Sequence, residues 1–122
     1  MKVLIVDDEP DIRRIARLSL ARLGGMEVIE ASNGDEGLRQ ARDERPDAIL
    51  LDVMMPGRDG PNTLAALQSD PGTAAIPVVF LTAKAMPAEL GRLRSLGAVG
   101  VLTKPFDPMT LAADLRAALV SA

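Results

Sequence analysis

The chain has 122 residues, 14 basic against 17 acidic, for a net charge of −3. That balance excludes the basic face that phosphate-backbone binding requires, and the absence of cysteine and histidine excludes disulfides, thiolate metal sites, a cysteine nucleophile and the usual neutral-pH general base. The length suits a single domain, residues 1–122, whose core has to be aliphatic because apolar residues make up 48% of the chain and aromatic ones 2%.

Short apolar blocks alternate with longer amphipathic stretches, which predicts repeated βα units around a parallel sheet. The first strand falls at 2–6 and runs into Asp7-Asp8-Glu9. A helix follows over 10–23: Pro10 suits an early helical position, Ile12, Ile15, Ala16, Ser19, Leu20 and Leu23 recur at helical spacing, and Gly24-Gly25 ends it. The second strand, 27–31, leads to a helix over 35–45 that Ser32 or Asn33 caps and that stops before Pro46. The third strand, 48–52, ends on Asp52 and is followed by the turn Met54-Met55-Pro56-Gly57-Arg58-Asp59-Gly60 and a helix over 61–69. Ser69-Asp70-Pro71-Gly72-Thr73 reads as a loop. The fourth strand, 77–82, ends on Thr82; its helix spans 87–96 and stops at Gly97. The fifth strand, 100–103, runs into Lys104-Pro105, a candidate cis bond. The last helix is predicted to begin at Asp107-Pro108, a cap followed by an N1 proline, with Leu111, Leu115, Ala118 and Leu119 as its buried stripe.

Four of the five strand exits therefore carry a charged or reactive side chain. In an open parallel sheet, ligands bind outside the carboxyl ends of the strands, where the strand order reverses. Three carboxylates (Asp7, Asp8, Asp52), a hydroxyl (Thr82) and an ammonium (Lys104) are thus expected at one edge. That set suits a hard divalent cation such as Mg²⁺, which takes oxygen ligands, together with a phosphoryl group, which a lysine meets as a point charge. Each residue also has a plain structural reading. An acidic pair favours a helix start, threonine is common in strands, and Glu9, one residue deeper into the turn, is read as a helix-start acid rather than a ligand.

In combination, Val3-Leu4-Ile5-Val6-Asp7-Asp8-Glu9-Pro10, Leu51-Asp52-Val53-Met54-Met55-Pro56-Gly57-Arg58-Asp59-Gly60, Leu81-Thr82-Ala83 and Leu102-Thr103-Lys104-Pro105-Phe106 resemble the receiver domain of bacterial two-component response regulators over essentially the whole chain. The resemblance implies a flavodoxin-like α/β fold, (βα)5, with a five-stranded parallel sheet of order 2-1-3-4-5 and helices on both faces. It implies that Asp52 accepts a phosphoryl group from a phosphohistidine on a sensor histidine kinase or histidine phosphotransfer protein. Asp7, Asp8, Asp52 and the backbone carbonyl of Met54 would hold Mg²⁺, and Thr82 and Lys104 would contact the phosphoryl oxygens. Modification would switch a surface that binds a downstream protein target, in a regulator rather than a turnover enzyme. Met54 and Lys84 occupy positions that flank the phosphoryl group in the family. The chain departs from the family's pattern at Val101, where an aromatic switch residue usually stands; either coupling runs through the backbone, or Phe106 matters more, or the output surface differs.

Three alternatives compete: a phosphate-ester hydrolase of haloacid dehalogenase type, which uses similar residues in the reverse chain order; a flavodoxin, which lacks support without Tyr or Trp; and a non-phosphorylated binding module. A free single-domain regulator, monomeric or weakly dimeric and without an output domain, is expected from a chain that starts at Met1 and ends after a fifth helix. No apolar run reaches the roughly 18 residues of a membrane span, and no signal-peptide pattern opens the chain, so a cytoplasmic location is expected.

Overall fold

The computed structural model describes residues 1–120, so the last two residues of the predicted domain lie outside the described residues. Five strands alternate with five helices: β1 Lys2–Val6, α1 Pro10–Leu18, β2 Glu27–Ala31, α2 Gly34–Glu44, β3 Ala48–Asp52, α3 Gly60–Ser69, β4 Val78–Thr82, α4 Pro87–Ser95, β5 Gly100–Thr103 and α5 Leu111–Val120. Every strand pair is parallel, and the sheet order is β2-β1-β3-β4-β5, as the resemblance implied.

The strands hold because their apolar side chains are needed on both faces. Side chains alternate along a strand, so Leu4 and Val6 of β1 join Ile49, Leu51, Val78 and Phe80 on one face, under Ala41 of α2, Leu64 and Leu67 of α3 and Leu93 of α4. Val3 and Ile5 join Leu50, Val79 and Leu81 on the other face, under Ala16 and Leu20 and under Leu111 and Leu115 of α5. The central strands β3 and β4 are buried along their whole length. Phe80 is the one phenylalanine in this interior; the rest is aliphatic, as the composition required.

Helix ends follow the sequence closely. Asn33 Oδ1 accepts from Glu36 N at 2.8 Å, and Glu36 Oε1 accepts in return from Ser32 N at 3.2 Å, a reciprocal cap on α2. Asp59 Oδ1 accepts from Asn62 N at 2.9 Å and starts α3. The first helix covers its predicted extent, but it changes pitch: α1 continues as a π-helical turn over Ser19–Leu23. The last helix starts later than predicted. Asp107 does cap its turn, with Oδ1 accepting from Met109 N at 2.8 Å, yet Pro108 to Thr110 form a turn and α5 begins at Leu111. The carbonyl of Pro108 accepts instead from the buried hydroxyl of Ser19.

The strand order reverses between β2-β1 and β3-β4-β5. The carboxyl ends of β1 and β3 thus open a cleft between loops that leave in opposite directions. Gly60 closes its floor: its N–H donates to Val53 O at 2.9 Å, and a Cβ there would lie 2.5 Å from the backbone oxygen of Asp52. Backbone cannot yield as a side chain can. The variant Gly60→Ala should therefore lose about 1–3 kcal/mol, read as a lower urea midpoint at unchanged m-value.

Candidate functional site

Four elements deliver the side chains. Asp7 follows β1 and keeps its register, its N–H donating to Ala31 O at 3.1 Å. It is 1% exposed. Asp8 is half-buried behind it, and Glu9 stands exposed at the N-cap of α1 without capping it. Asp52 is the last residue of β3 and Thr82 the last of β4, both buried. Asp52 pairs in register with Leu81, so Thr82 lies one step further along the neighbouring strand. Lys104 comes just after β5, fixed by its N–H to Thr82 O at 2.7 Å, and the Lys104–Pro105 bond is cis.

The Lys104 ammonium sits among carboxylates. Nζ lies 3.0 Å from Asp7 Oδ2, 3.2 Å from Asp52 Oδ1 and 3.5 Å from Glu9 Oε1. Asp7 Oδ1 accepts from Glu9 N at 2.9 Å, but Oδ2 is buried and accepts no hydrogen bond; its lysine contact is an ion pair without hydrogen-bond geometry. Burial and the neighbouring Asp7 carboxylate push Asp52 up to about 6, against the opposing pull of Lys104. Burial works against the charge of Lys104 as well, yet Asp7 and Asp52 outweigh it and hold the ammonium above its ordinary value.

The structure thus brings together Asp7, Asp8, Asp52 and Lys104, with Thr82 beside them. Glu9 stands at the start of α1, as expected, and at the rim of the group: single carboxylate oxygens of Asp7, Asp8, Glu9 and Asp52 lie within 4.8 Å of one another. Four oxygen donors at this spacing, one of them buried without a hydrogen bond, fit a hard cation such as Mg²⁺. Met54 is exposed and lends its N–H to Asp52 Oδ1 at 3.4 Å. The hydroxyl of Thr82 accepts from Lys84 N at 3.1 Å. Val101 packs against the core beneath α2, α3 and α4, while Phe106 packs against the core beneath α1 and α5. Both border one cavity beside β5.

One supporting residue escaped the sequence reading. Arg13 Nη1 donates to the backbone oxygen of Asp7 at 2.6 Å, and its Nε lies 3.4 Å from Glu30 Oε1. Its position one helical turn beyond Glu9 was a usable signal.

Comparison with known proteins shows the family and the fold. The model of the response regulator receiver domain matches residues 3–116. The probable transcriptional regulator ycf27 of Guillardia theta is 40% identical over 118 residues, which are 97% of this chain and 45% of that protein. The chain thus spans about half the length of that relative. Protein PilH of Pseudomonas aeruginosa is 36% identical over 97% of both chains. The solved structure of the chemotaxis response regulator CheY4 of Vibrio cholerae superposes with a TM-score of 0.89 at 35% identity, covering 96% of this chain and 97% of that one.

The raised Asp52 has a consequence for stability. Between about pH 4 and 6 the folded chain binds a proton at Asp52 that the unfolded chain, at its ordinary 3.8, has released. This group's contribution is therefore fullest below 3.8 and is lost as pH rises through about 6. In Mg²⁺-free buffer, Asp52→Asn should be about 3 kcal/mol more stable than the native chain at pH 7.5. The margin should fall to about 1 kcal/mol at pH 4.5 and vanish only below about 3.8, read by urea unfolding across that range.

Proposed function

The chain belongs to the response regulator receiver domain family, and we propose that its carboxyl-edge pocket takes a phosphoryl group onto Asp52 from a phosphohistidine on a partner kinase or phosphotransfer protein. The observation that carries this reading is a buried acceptor carboxylate with an ammonium at 3.2 Å and an unbonded carboxylate oxygen of Asp7 across that same ammonium. An Asp52 oxygen forms the new O–P bond as the P–N bond breaks, and that bond's electron pair returns to the partner's imidazole. Such transfer depends on positioning and charge stabilisation more than on proton chemistry, which suits a chain without histidine.

Asp7, Asp8 and Asp52, with the carbonyl of Met54, are the ligands we assign to Mg²⁺, and Glu9 borders the same cluster. When bound, the ion supplies the positive charge that offsets repulsion between carboxylate and incoming phosphoryl group. Lys104 supplies the second positive charge and orients one phosphoryl oxygen. Thr82 donates its hydroxyl to another.

That donation reorients the group that now accepts from Lys84 N. The β4–α4 loop, exposed from Ala83 to Met86, loses an anchor and shifts, presenting a changed surface to a downstream protein. The protein is thus a regulator whose own side chains assist its modification, not an enzyme turning over a free substrate.

Incubation with Mg²⁺ and labelled acetyl phosphate tests the acceptor. Asp52→Asn should incorporate no label, and Lys104→Ala should incorporate it about 100-fold more slowly; label retained by Asp52→Asn would end the assignment. The switch is tested separately by amide NMR with beryllofluoride, a phosphoryl mimic. The Lys84 amide should move and exchange faster with solvent, and an unchanged Lys84 amide would exclude a route through Thr82.

A further inference from the structure

Ser19 is a buried polar residue outside the pocket, and its hydroxyl donates to the carbonyl of Pro108. That carbonyl lies four residues beyond Lys104, in the turn that leads to α5. The other hydrogen bonds of this turn are local: Met109 N to Asp107 Oδ1, Thr110 N and Leu111 N to Asp107 O, and Thr110 Oγ1 to Asp114 Oδ2. They shape the turn without placing it. Placement comes from the packing of Phe106 and Leu111 on the core beneath α1 and α5, and from Ser19.

Six residues earlier on the same helical segment, Arg13 Nη1 holds the backbone oxygen of Asp7. One continuous helical segment therefore holds both sides of the pocket, the β1 exit through Arg13 and the turn after β5 through Ser19. Ser19 lies on its buried stripe, where the pitch changes to a π turn.

We propose that Ser19 is a positioning residue for phosphoryl transfer, setting through Pro108 how the Lys104 ammonium is held between Asp7 and Asp52. The proposal rests on the phosphoacceptor reading above. Its energetic logic is geometric. The ion pairs of Lys104 span 3.0 to 3.5 Å to three different carboxylates, so a small displacement of the turn moves the ammonium away from where the phosphoryl oxygens arrive. Misplacement by about an ångström at a reacting centre can lower rates by up to roughly 100-fold, and a turn still packed through Phe106 and Leu111 would shift by less.

The test is a double-mutant comparison of labelling rates with acetyl phosphate at saturating Mg²⁺. Ser19→Ala should slow labelling by about 3- to 10-fold in the otherwise native chain. In a Lys104→Ala background, the same substitution should change the rate by less than about 1.5-fold while lowering the melting temperature equally in both backgrounds. A merely structural serine would slow both backgrounds alike, and that result, or an unchanged rate in the native background, would overturn the proposal. Ser19→Cys, nearly isosteric and a weak donor, carries the same comparison should the alanine variant not fold. Failure of the unsubstituted chain to label at all would overturn the phosphoacceptor reading, and this inference with it; normal labelling with an indifferent Ser19 would overturn this inference alone.

Discussion

The pocket depends on one ammonium that is not quite enough. Lys104 faces Asp7, Asp52 and Glu9 at ion-pair distance, with Asp8 in the same cluster. Two unit charges about 4 Å apart interact by about 4 kcal/mol at an effective dielectric near 20, so several carboxylates gathered here repel strongly and one cation offsets only part of it. Asp52 records the deficit. Its burial and its neighbour Asp7 together outweigh Lys104 and raise it to about 6. The remaining negative charge, and the unbonded oxygen of Asp7, are what a divalent ion would meet. The lysine therefore holds the carboxylates together in the folded chain while leaving part of their negative charge uncompensated.

Holding such a cluster at the edge of a small protein requires a frame that does not relax around it. The two aliphatic layers supply that frame. Each of β1, β3 and β4 contributes side chains to both layers, so rotation or sliding of one strand would disturb packing on both faces. Asp7, Asp52, Thr82 and Lys104 sit one residue past, or on, the last ladder position of their strands, and Asp8 one further. Asp7 and Lys104 even extend the ladder by their own N–H groups, to Ala31 O and Thr82 O. Those N–H groups anchor each residue to the sheet, while the side chains and the loops that follow are left to adjust.

This arrangement also explains what could be read from sequence. A polar residue that ends a continuous apolar run, as Asp52 does after Ala48-Ile49-Leu50-Leu51 and Thr82 after Val78-Val79-Phe80-Leu81, marks both the strand and its exit. The strand order came through the family resemblance rather than from periodicity, because apolar runs do not say which strand lies beside which. Local patterns failed where a distant partner decides. Proline after aspartate signals a helix start, yet the Pro108 carbonyl pairs with Ser19, 89 residues away in sequence, and α5 waits until Leu111. The π turn at Ser19–Leu23 preserves the apolar spacing well enough to read as ordinary helix. Glu9 is the helix start that the sequence expects, and what local pattern does not show is that its side chain turns back to within 3.5 Å of the Lys104 ammonium.

The departure at Val101 bears on how a change at Asp52 would travel. Valine has no lever, and its χ1 freedom is limited; Phe106 belongs to the opposite layer of the core. What the structure does offer is a direct link from the Thr82 hydroxyl to the Lys84 amide, at the root of a loop exposed throughout. Beyond it, Met86 stands at the N-cap of α4 without a side-chain capping bond and is itself 69% exposed. A helix start without a cap and a loop without buried side chains have little to oppose a shift once that single hydrogen bond is released. In the proposed cycle, then, the small residue at 101 leaves the backbone of the β4–α4 loop to carry the signal.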